Sequence, residues 1–402
     1  MDHTLVIPTY NRPELVRRLV VYYLRRRPDM QLLVLDSSKA DTAAANAEWL
    51  KGRGPGVRHV TYPDTLQPGA KLAQGLPLVQ TKYASLCADD DVVFLQGLQD
   101  AIAFLESHAD YVSAHGLYLN FQVGEGTSDL KVWREYGGPG NEAAHPGARI
   151  FRLFQRYESL YYAVFRARDL REIFEPVPGI PSLHYQELFQ SVGALIKGKV
   201  KRLPGLYAAR QSIEAAQPER DNWQTYYWFA SKPAELLEHY RAYCEDLWRF
   251  YSVHGPQPRL DREAFQRALH VSHAVYFAAG CSPAYFHSTL QALWPQDGFV
   301  EPGRVDLFDQ LRSGGADVEA AVTSVAQPAP ASKWTPRYVL TAARLVLRAA
   351  PHALQRCSLD RQARAAGGTP WRCRLPWNLR WLAAQPEFRR TYLDLCAYLD
   401  SR

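Results

Sequence analysis

A chain of 402 residues with 47% hydrophobic and 22% charged side chains can bury a sizeable core, with room for two domains or one domain and a large appendage. Its six cysteines show no C-x-x-C or other metal-ligand spacing, which excludes a zinc-finger pattern and suits a reducing cytosol. The net charge of +6 sits at one end: residues 333–402 hold 13 Lys and Arg against 4 Asp and Glu, a local +9 that leaves −3 for the rest, so only that segment calls for an anionic partner.

The chain opens "MDHTLVIPTY", with an acid at position two, no secretory pattern and an immediate strand-like run. No stretch reaches the roughly 18 uninterrupted apolar residues of a membrane span. Both features predict a cytoplasmic protein. Residues 4–8 and 31–36 read as short buried strands, and "PELVRRLVVYYLRR" between them has helical spacing at Leu15, Leu19, Val20, Tyr23 and Leu24. Strand, helix, strand is the βαβ unit of a parallel sheet. A helix over 41–52, strands at 57–63 and 83–88, and a helix around 69–80 continue the pattern. In such sheets ligands bind beyond the carboxyl ends of the strands. "PTYNR", "DSS" and "DDD" all fall there.

The glycine-rich stretch 124–147 reads as a mobile lid, binding loop or insertion. Order resumes over 148–174, and a helix ending near Gly198 precedes a short strand. After about Pro218 the pattern is helical and rich in Trp and Tyr. "AQPAPAS" (326–332) reads as a linker. The expected organisation is an α/β domain over 1–215, a helical region over 216–325, the linker, and a basic helical tail over 333–402.

Within "YASLCADDDVVFL", Asp89, Asp90 and Asp91 pose the central question, because adjacent like charges repel. A solvated turn is one explanation. A strand opening onto a polyvalent cation is the other. Taken together, "LVIPTYNRPELVRRLVVYYL", "LLVLDSS" and "YASLCADDDVVF" resemble, in order and spacing, the GT-A glycosyltransferases, specifically the bacterial, family-2-like inverting enzymes. The resemblance covers roughly residues 1–215.

The resemblance implies a GT-A fold, a nucleotide-diphosphate sugar as donor, a divalent cation (Mn²⁺ or Mg²⁺), and a glycan, lipid-linked or protein acceptor, with no nucleic-acid partner. A cation held by carboxylates would neutralise the diphosphate leaving group, and Mg²⁺ commonly takes only one or two protein carboxylates. The family's D-x-D maps onto Asp89-x-Asp91. Asp91 would be the metal ligand, Asp89 a second ligand lying toward the ribose, and Asp90 a source of further charge. Pro8, Thr9, Tyr10 and Arg12 would line the base and ribose pocket, Asp36 would accept a hydrogen bond from the base, and Lys71 would lie near the donor. For Asp36 the competing reading is an Asx-turn at "DSS", and for Lys71 a solvated surface lysine.

An inverting transfer also needs a general base. "PSLHYQELFQSVGALIKGK" offers Glu187, where the resemblance places an acid opening a helix; His184 is the alternative. Gln-Glu stands here where many relatives have Glu-Asp. The His that often supplies a third ligand is not evident, since "LPGLYAARQ" offers Tyr207 and Arg210 instead. Arg210 would pair with the diphosphate. In the basic tail "PRYVLTAARLVLRAA" is amphipathic, suiting either a peripheral contact with the inner membrane or packing on the body of the protein.

Two rival classes remain. A sugar nucleotidyltransferase would carry a Gly-rich basic loop after the first strand, which "PTYNRPE" lacks. A non-catalytic carbohydrate- or partner-binding protein on a degenerate transferase fold would account for the Gln-Glu variation and the missing His. A dehalogenase-type phosphatase reading of "DDDVV" fails because that motif opens its domain, and here an α/β pattern precedes it.

Overall fold

The computed structural model describes residues 1–124, 129–136, 140–155, 157–212, 233–280, 372–374 and 386–401. Four strands, β1 (His3–Thr9), β2 (Gln31–Asp36), β3 (Val57–Thr61) and β4 (Tyr83–Leu86), lie parallel in the order β3-β2-β1-β4. They are joined through α1 (Pro13–Arg26), α2 (Ala40–Leu50) and α3 (Pro68–Gly75). The middle of β1, residues 5–8, is apolar without a break because both faces are covered. Leu5 and Ile7 enter one core and Val6 the other, and in β2 Leu32 and Val34 alternate with Leu33 and Leu35 in the same way.

Pro13 starts α1 where no N–H is required. The helix buries Val16, Leu19, Val20, Tyr22 and Tyr23. Leu15 and Leu24, expected on that face, are only half-buried. Tyr22 is turned inward because a helix from the far end of the chain covers it.

The sheet continues through β5 (Val92–Val93), α4 (Leu95–Ser107), β6 (Tyr111–Val123), β7 (Asp129–Tyr136), α5 (Pro146–Gln155), β8 (Val164–Arg166), α6 (Ala167–Phe174), α7 (Leu183–Lys197) and β9 (Lys199–Gln211). β8 joins β4 and β6 antiparallel, β7 joins β6 antiparallel, and β9 runs parallel to β6 and antiparallel to β5. The result is a mixed, mostly parallel sheet flanked by helices, similar to the GT-A fold that the resemblance implies.

Two expectations need correction. The stretch 124–147 is not all loop: Leu130 and Val132 are buried while Lys131 between them is exposed, and this alternation seats β7 against β6. The strand after Gly198 is also long, spanning 13 residues in β9.

Helices α8 (Pro233–His254) and α9 (Arg262–Gly280) pack on α7 and α5, with Tyr185 stacked on Tyr243 at 4.9 Å and Phe154 4.4 Å from His273. The proposed linker 326–332 and the amphipathic stretch beginning at Pro336 fall outside the described residues. Of the tail, β10 (Arg372–Arg374) adds to β7 in parallel, and α10 (Pro386–Leu399) packs against α1 and β9. Tyr392, Leu395, Cys396 and Leu399, at helical spacing, join Tyr398 in the core that holds Leu5 and Ile7. The end of the tail is therefore part of the α/β body. Among the described residues no helix is long and apolar enough to cross a membrane. Cys87, Cys244 and Cys396 are buried and unbridged.

Candidate functional site

The strand order reverses at β1, which has β2 on one side and β4 on the other. A crevice opens at such a point because the connections leave in opposite directions. Thr9 ends β1 there, and its Oγ1 donates to Asp89 Oδ2 at 2.6 Å. Two residues on, Asn11 takes a left-handed conformation (φ 54°), which Asn tolerates better than most residues. That turn joins two of the predicted loops. The Asn11 N–H donates to Ser38 Oγ (2.8 Å), and the Lys39 N–H donates to Asn11 Oδ1 (2.9 Å).

Asp36 closes β2 fully buried and faces inward. It accepts from the Ser38 N–H (2.8 Å), Asn46 Nδ2 (2.9 Å) and His59 Nε2 (3.2 Å). Burial alone would raise its pKa, but the hydrogen bonds from His59, Ser38 and Asn46 outweigh that and hold it at about 2. Its bond to the Ser38 N–H makes an Asx-turn that shapes the Ser37–Ser38 loop. Lys71 is not a surface lysine either. It is buried, and its Nζ donates to Thr9 O (2.8 Å) and Ser37 Oγ (2.9 Å), bridging the ends of β1 and β2.

The three aspartates have different surroundings. Asp89 and Asp91 are buried, while Asp90 is partly exposed. Arg12 spans two of them, with Nη2 3.0 Å from Asp89 Oδ1 and Nη1 2.6 Å from Asp90 Oδ2. Asp91 accepts from Tyr162 Oη and, at 2.7 Å, from the Gln211 N–H, and it lies 3.5 Å from Arg210 Nε. Burial, opposed by Arg12 and reinforced by Asp90, pushes Asp89 up to about 6. Burial, with Asp90 beside it, likewise pushes Asp91 upward against the pull of Arg210. The turn therefore holds more negative charge than its burial favours.

The opposite wall of the crevice comes from α7 and the segment before β8. Ser182 caps α7 by accepting from the Tyr185 N–H at 3.3 Å. Glu187, one turn in, faces the crevice, and its Oε1 accepts from Tyr157 Oη at 3.1 Å. His184 lies outside the crevice lining, its ring stacked against Tyr276, and burial pushes it down to about 4. The floor is tight: a Cβ on Gly69 at the start of α3 would meet the Gln186 side chain and come within 2.8 Å of Val177 Cγ1.

These walls enclose a cleft of about 340 Å³. Pro8, Thr9, Tyr10, Arg12, Lys71, Glu187 and Arg210, all expected site residues, line it together with Ser159, Tyr161, Tyr162 and Gln190. Asp36, Asp89, Asp90 and Asp91 are not among the lining side chains. The aspartates stand directly behind Arg12, Thr9, Tyr162 and Arg210, to which they are bonded.

Sequence reasoning missed Tyr157 and Tyr162. Their aromatic run "YESLYYAVF" gives a core signal and nothing that marks two hydroxyls aimed at acids. It also missed Tyr23, whose Oη accepts from the Val93 N–H and donates to Val93 O just after the turn.

No group of three or more His, Cys, Asp or Glu poised for a metal exists among the described residues. The turn still fits a cation that takes one or two carboxylates. Asp89 Oδ1 is buried and makes its contact with the Arg12 guanidinium as an ion pair at 3.0 Å, without an aligned hydrogen bond, and the arginines neutralising Asp89, Asp90 and Asp91 are partly exposed side chains able to move.

Residues 4–158 match the family described as Glycosyl transferase family 2. No curated protein sequence matches the chain. Among solved structures, that of S. aureus TarS residues 1–349 with UDP-GlcNAc is similar at 15% identity over 81% of this chain and 84% of that one, with a TM-score of 0.52. At that identity the likeness is one of fold. A structure of S. aureus TarS (14% identity, 80% of this chain, TM-score 0.49) is matched over 50% of its length. The structure of GalNAc-T7 with UDP, GalNAc and Mn²⁺ is similar at 12% identity over 63% of this chain and 54% of that one, with a TM-score of 0.44.

Proposed function

Residues 4–158 form a family 2 glycosyltransferase domain on a GT-A fold, and from that premise we propose that the protein moves a sugar from a nucleotide-diphosphate donor to an acceptor hydroxyl with inversion. One observation carries the reading: the Glu187 carboxylate, one oxygen of which meets no hydrogen bond among the described residues, faces the same cleft as Arg12, Lys71 and Arg210, with the aspartate turn directly behind. Inversion needs a base on one side of the anomeric carbon and a stabilised leaving group on the other. The two walls supply these separately.

In this mechanism Pro8, Thr9, Tyr10 and Arg12 contact the base and ribose. Lys71 and Asp36 act on the donor through the loops they hold. Arg210 leaves Asp91 to pair with the diphosphate, a charge-assisted contact that a guanidinium makes well. Asp91 and Asp89 are the residues that would hold a divalent cation, with Asp90 adding charge nearby. Bound there, Mn²⁺ or Mg²⁺ would supply Lewis-acid neutralisation of the leaving group. Glu187 takes the proton of the acceptor hydroxyl as its oxygen attacks the anomeric carbon. The bond to the diphosphate breaks on the opposite face, and the nucleoside diphosphate leaves with the electron pair.

The TarS structure contains UDP-GlcNAc, which makes a uridine donor the first to test here. The test is a thermal-shift screen of nucleotide sugars with and without Mn²⁺, followed by measurement of slow donor hydrolysis. A donor that stabilises the protein and is hydrolysed supports transfer. Binding without hydrolysis by any donor would favour the non-catalytic binding module. Stabilisation by nucleoside triphosphates would favour a nucleotidyltransferase. The acceptor is a glycan, lipid-linked or protein hydroxyl in bacterial glycan synthesis, and the basic tail would bring the enzyme to the inner membrane where that acceptor is lipid-linked.

A further inference from the structure

The Asp90–Asp91 peptide is gripped at both ends. Its N–H, on Asp91, donates to Ala88 O at 3.1 Å. Its carbonyl, on Asp90, accepts from Tyr398 Oη at 3.0 Å, a hydroxyl on the C-terminal helix α10. Arg18 of α1 ties this contact to the neighbouring strand. Its Nη2 donates to Tyr398 Oη (2.7 Å), to Gln211 Oε1 (2.6 Å) and, at 3.4 Å, to Asp90 O, while the guanidinium lies 4.3 Å from the Tyr398 ring centroid. Gln211 is the residue whose N–H holds Asp91 Oδ1.

We propose that Tyr398 and Arg18 are positioning residues for the aspartate turn, so that the last helix of the chain completes the site. A peptide plane turns as a unit. Rotating the Asp90–Asp91 plane would re-aim Asp91 on one side and Asp90, with the Arg12 pair it shares with Asp89, on the other. Tyr398 is fully buried, and burial raises its pKa well above the ordinary phenol value, so its hydroxyl stays a proton donor. The helix does not need this hydroxyl for its packing. Tyr392, Leu395, Cys396 and Leu399 bury it against α1 and β9, and Arg26 pairs with Asp394 at 3.2 Å on its outer side. The hydroxyl adds aim to a contact that apolar packing already makes.

The inference rests on the reading of the turn as a cation and donor site, and its test separates the two. Tyr398→Phe keeps the ring and removes the hydroxyl; Asp394→Asn disturbs the same helix at the Arg26 pair and serves as the control. Amide hydrogen exchange is followed over 88–93 and 207–212, and Mn²⁺ uptake in the presence of a panel of nucleoside diphosphates is followed by the electron paramagnetic resonance of the free ion. Loss of the hydrogen bond to Asp90 O, with the one the hydroxyl accepts from Arg18, is expected to speed exchange over 88–93 and weaken Mn²⁺–nucleotide binding, each by about five- to tenfold, with Asp394→Asn within about twofold of the parent. Tyr398→Phe matching the parent in both measurements, or Asp394→Asn matching Tyr398→Phe, overturns the proposal. If the parent takes up no Mn²⁺ with any nucleotide, the metal reading fails, and the exchange data alone decide the positioning role. Should Tyr398→Phe not fold, Arg18→Met, which leaves the apolar contacts of α10 in place, is expected to shift exchange over 88–93 in the same direction; no shift there also overturns it.

Discussion

Replacing Glu187 by Gln isolates the proposed base. Oε1 of Glu187 accepts from Tyr157 Oη at 3.1 Å, and no hydrogen bond among the described residues engages Oε2. A glutamine keeps the carbonyl that Tyr157 needs, so the fold should lose no more than about 1 kcal/mol. Basicity disappears entirely. General-base contributions of about 10²–10⁴ correspond to about 2.7–5.5 kcal/mol of barrier. Because the base acts on the attacking hydroxyl, donor affinity should stay within about threefold. The assay is release of nucleoside diphosphate from the nucleotide sugar that gives the largest thermal shift, with donor binding measured separately by calorimetry. Turnover within about tenfold of the parent would refute the assignment. A loss of affinity equal to the loss of rate would make Glu187 a donor contact. His184 is a poor substitute base: it lies outside the cleft lining against Tyr276.

Three further outcomes are expected. Asp91→Asn should abolish the Mn²⁺ dependence of donor binding while preserving the fold, because the amide can still accept from the Gln211 N–H; unchanged Mn²⁺ dependence by calorimetry would remove Asp91 from the metal site. Asp36 has a folded-state pKa of about 2 against an ordinary 3.8, so it contributes about 2 kcal/mol above pH 4 that is lost as the pH falls toward 2; Asp36→Asn should flatten that acid limb in urea titrations at pH 2–5. Leu399→Ala, at a buried position of α10, should cost about 2–4 kcal/mol in denaturant unfolding, whereas a detached tail would show almost nothing.

The strands and helices over the first 90 residues were legible because a doubly covered parallel sheet writes unbroken apolar runs, as in "LVIP" and "LLVLD". The convergence of "PTYNR" and "DDD" was legible for a topological reason: both follow strands that flank the switch point. Asp36 was harder, since an aspartate closing a strand has the same letters whether it faces a ligand or its own turn, and its partners His59 and Asn46 stand 23 and 10 residues further along the chain. Lys71 was ambiguous for the same reason, its partners lying in two separate loops. Tyr162 and Tyr398 were illegible because a tyrosine in an apolar run signals burial and says nothing about what its hydroxyl meets. The β7 strand was hidden by the glycines on either side of its alternating residues.

The reach of the Tyr398–Asp90 contact, 308 residues along the chain, has a consequence for biosynthesis. At about 5–20 residues per second, roughly 15–60 s separate the emergence of the aspartate turn from that of the helix that covers it. Throughout that interval the face of α1 bearing Tyr22 and the Arg18 guanidinium has no α10 to receive it. The nascent chain thus carries an open apolar flank beside an unfinished turn, a species open to chaperone binding and to aggregation. It closes only when translation is nearly over.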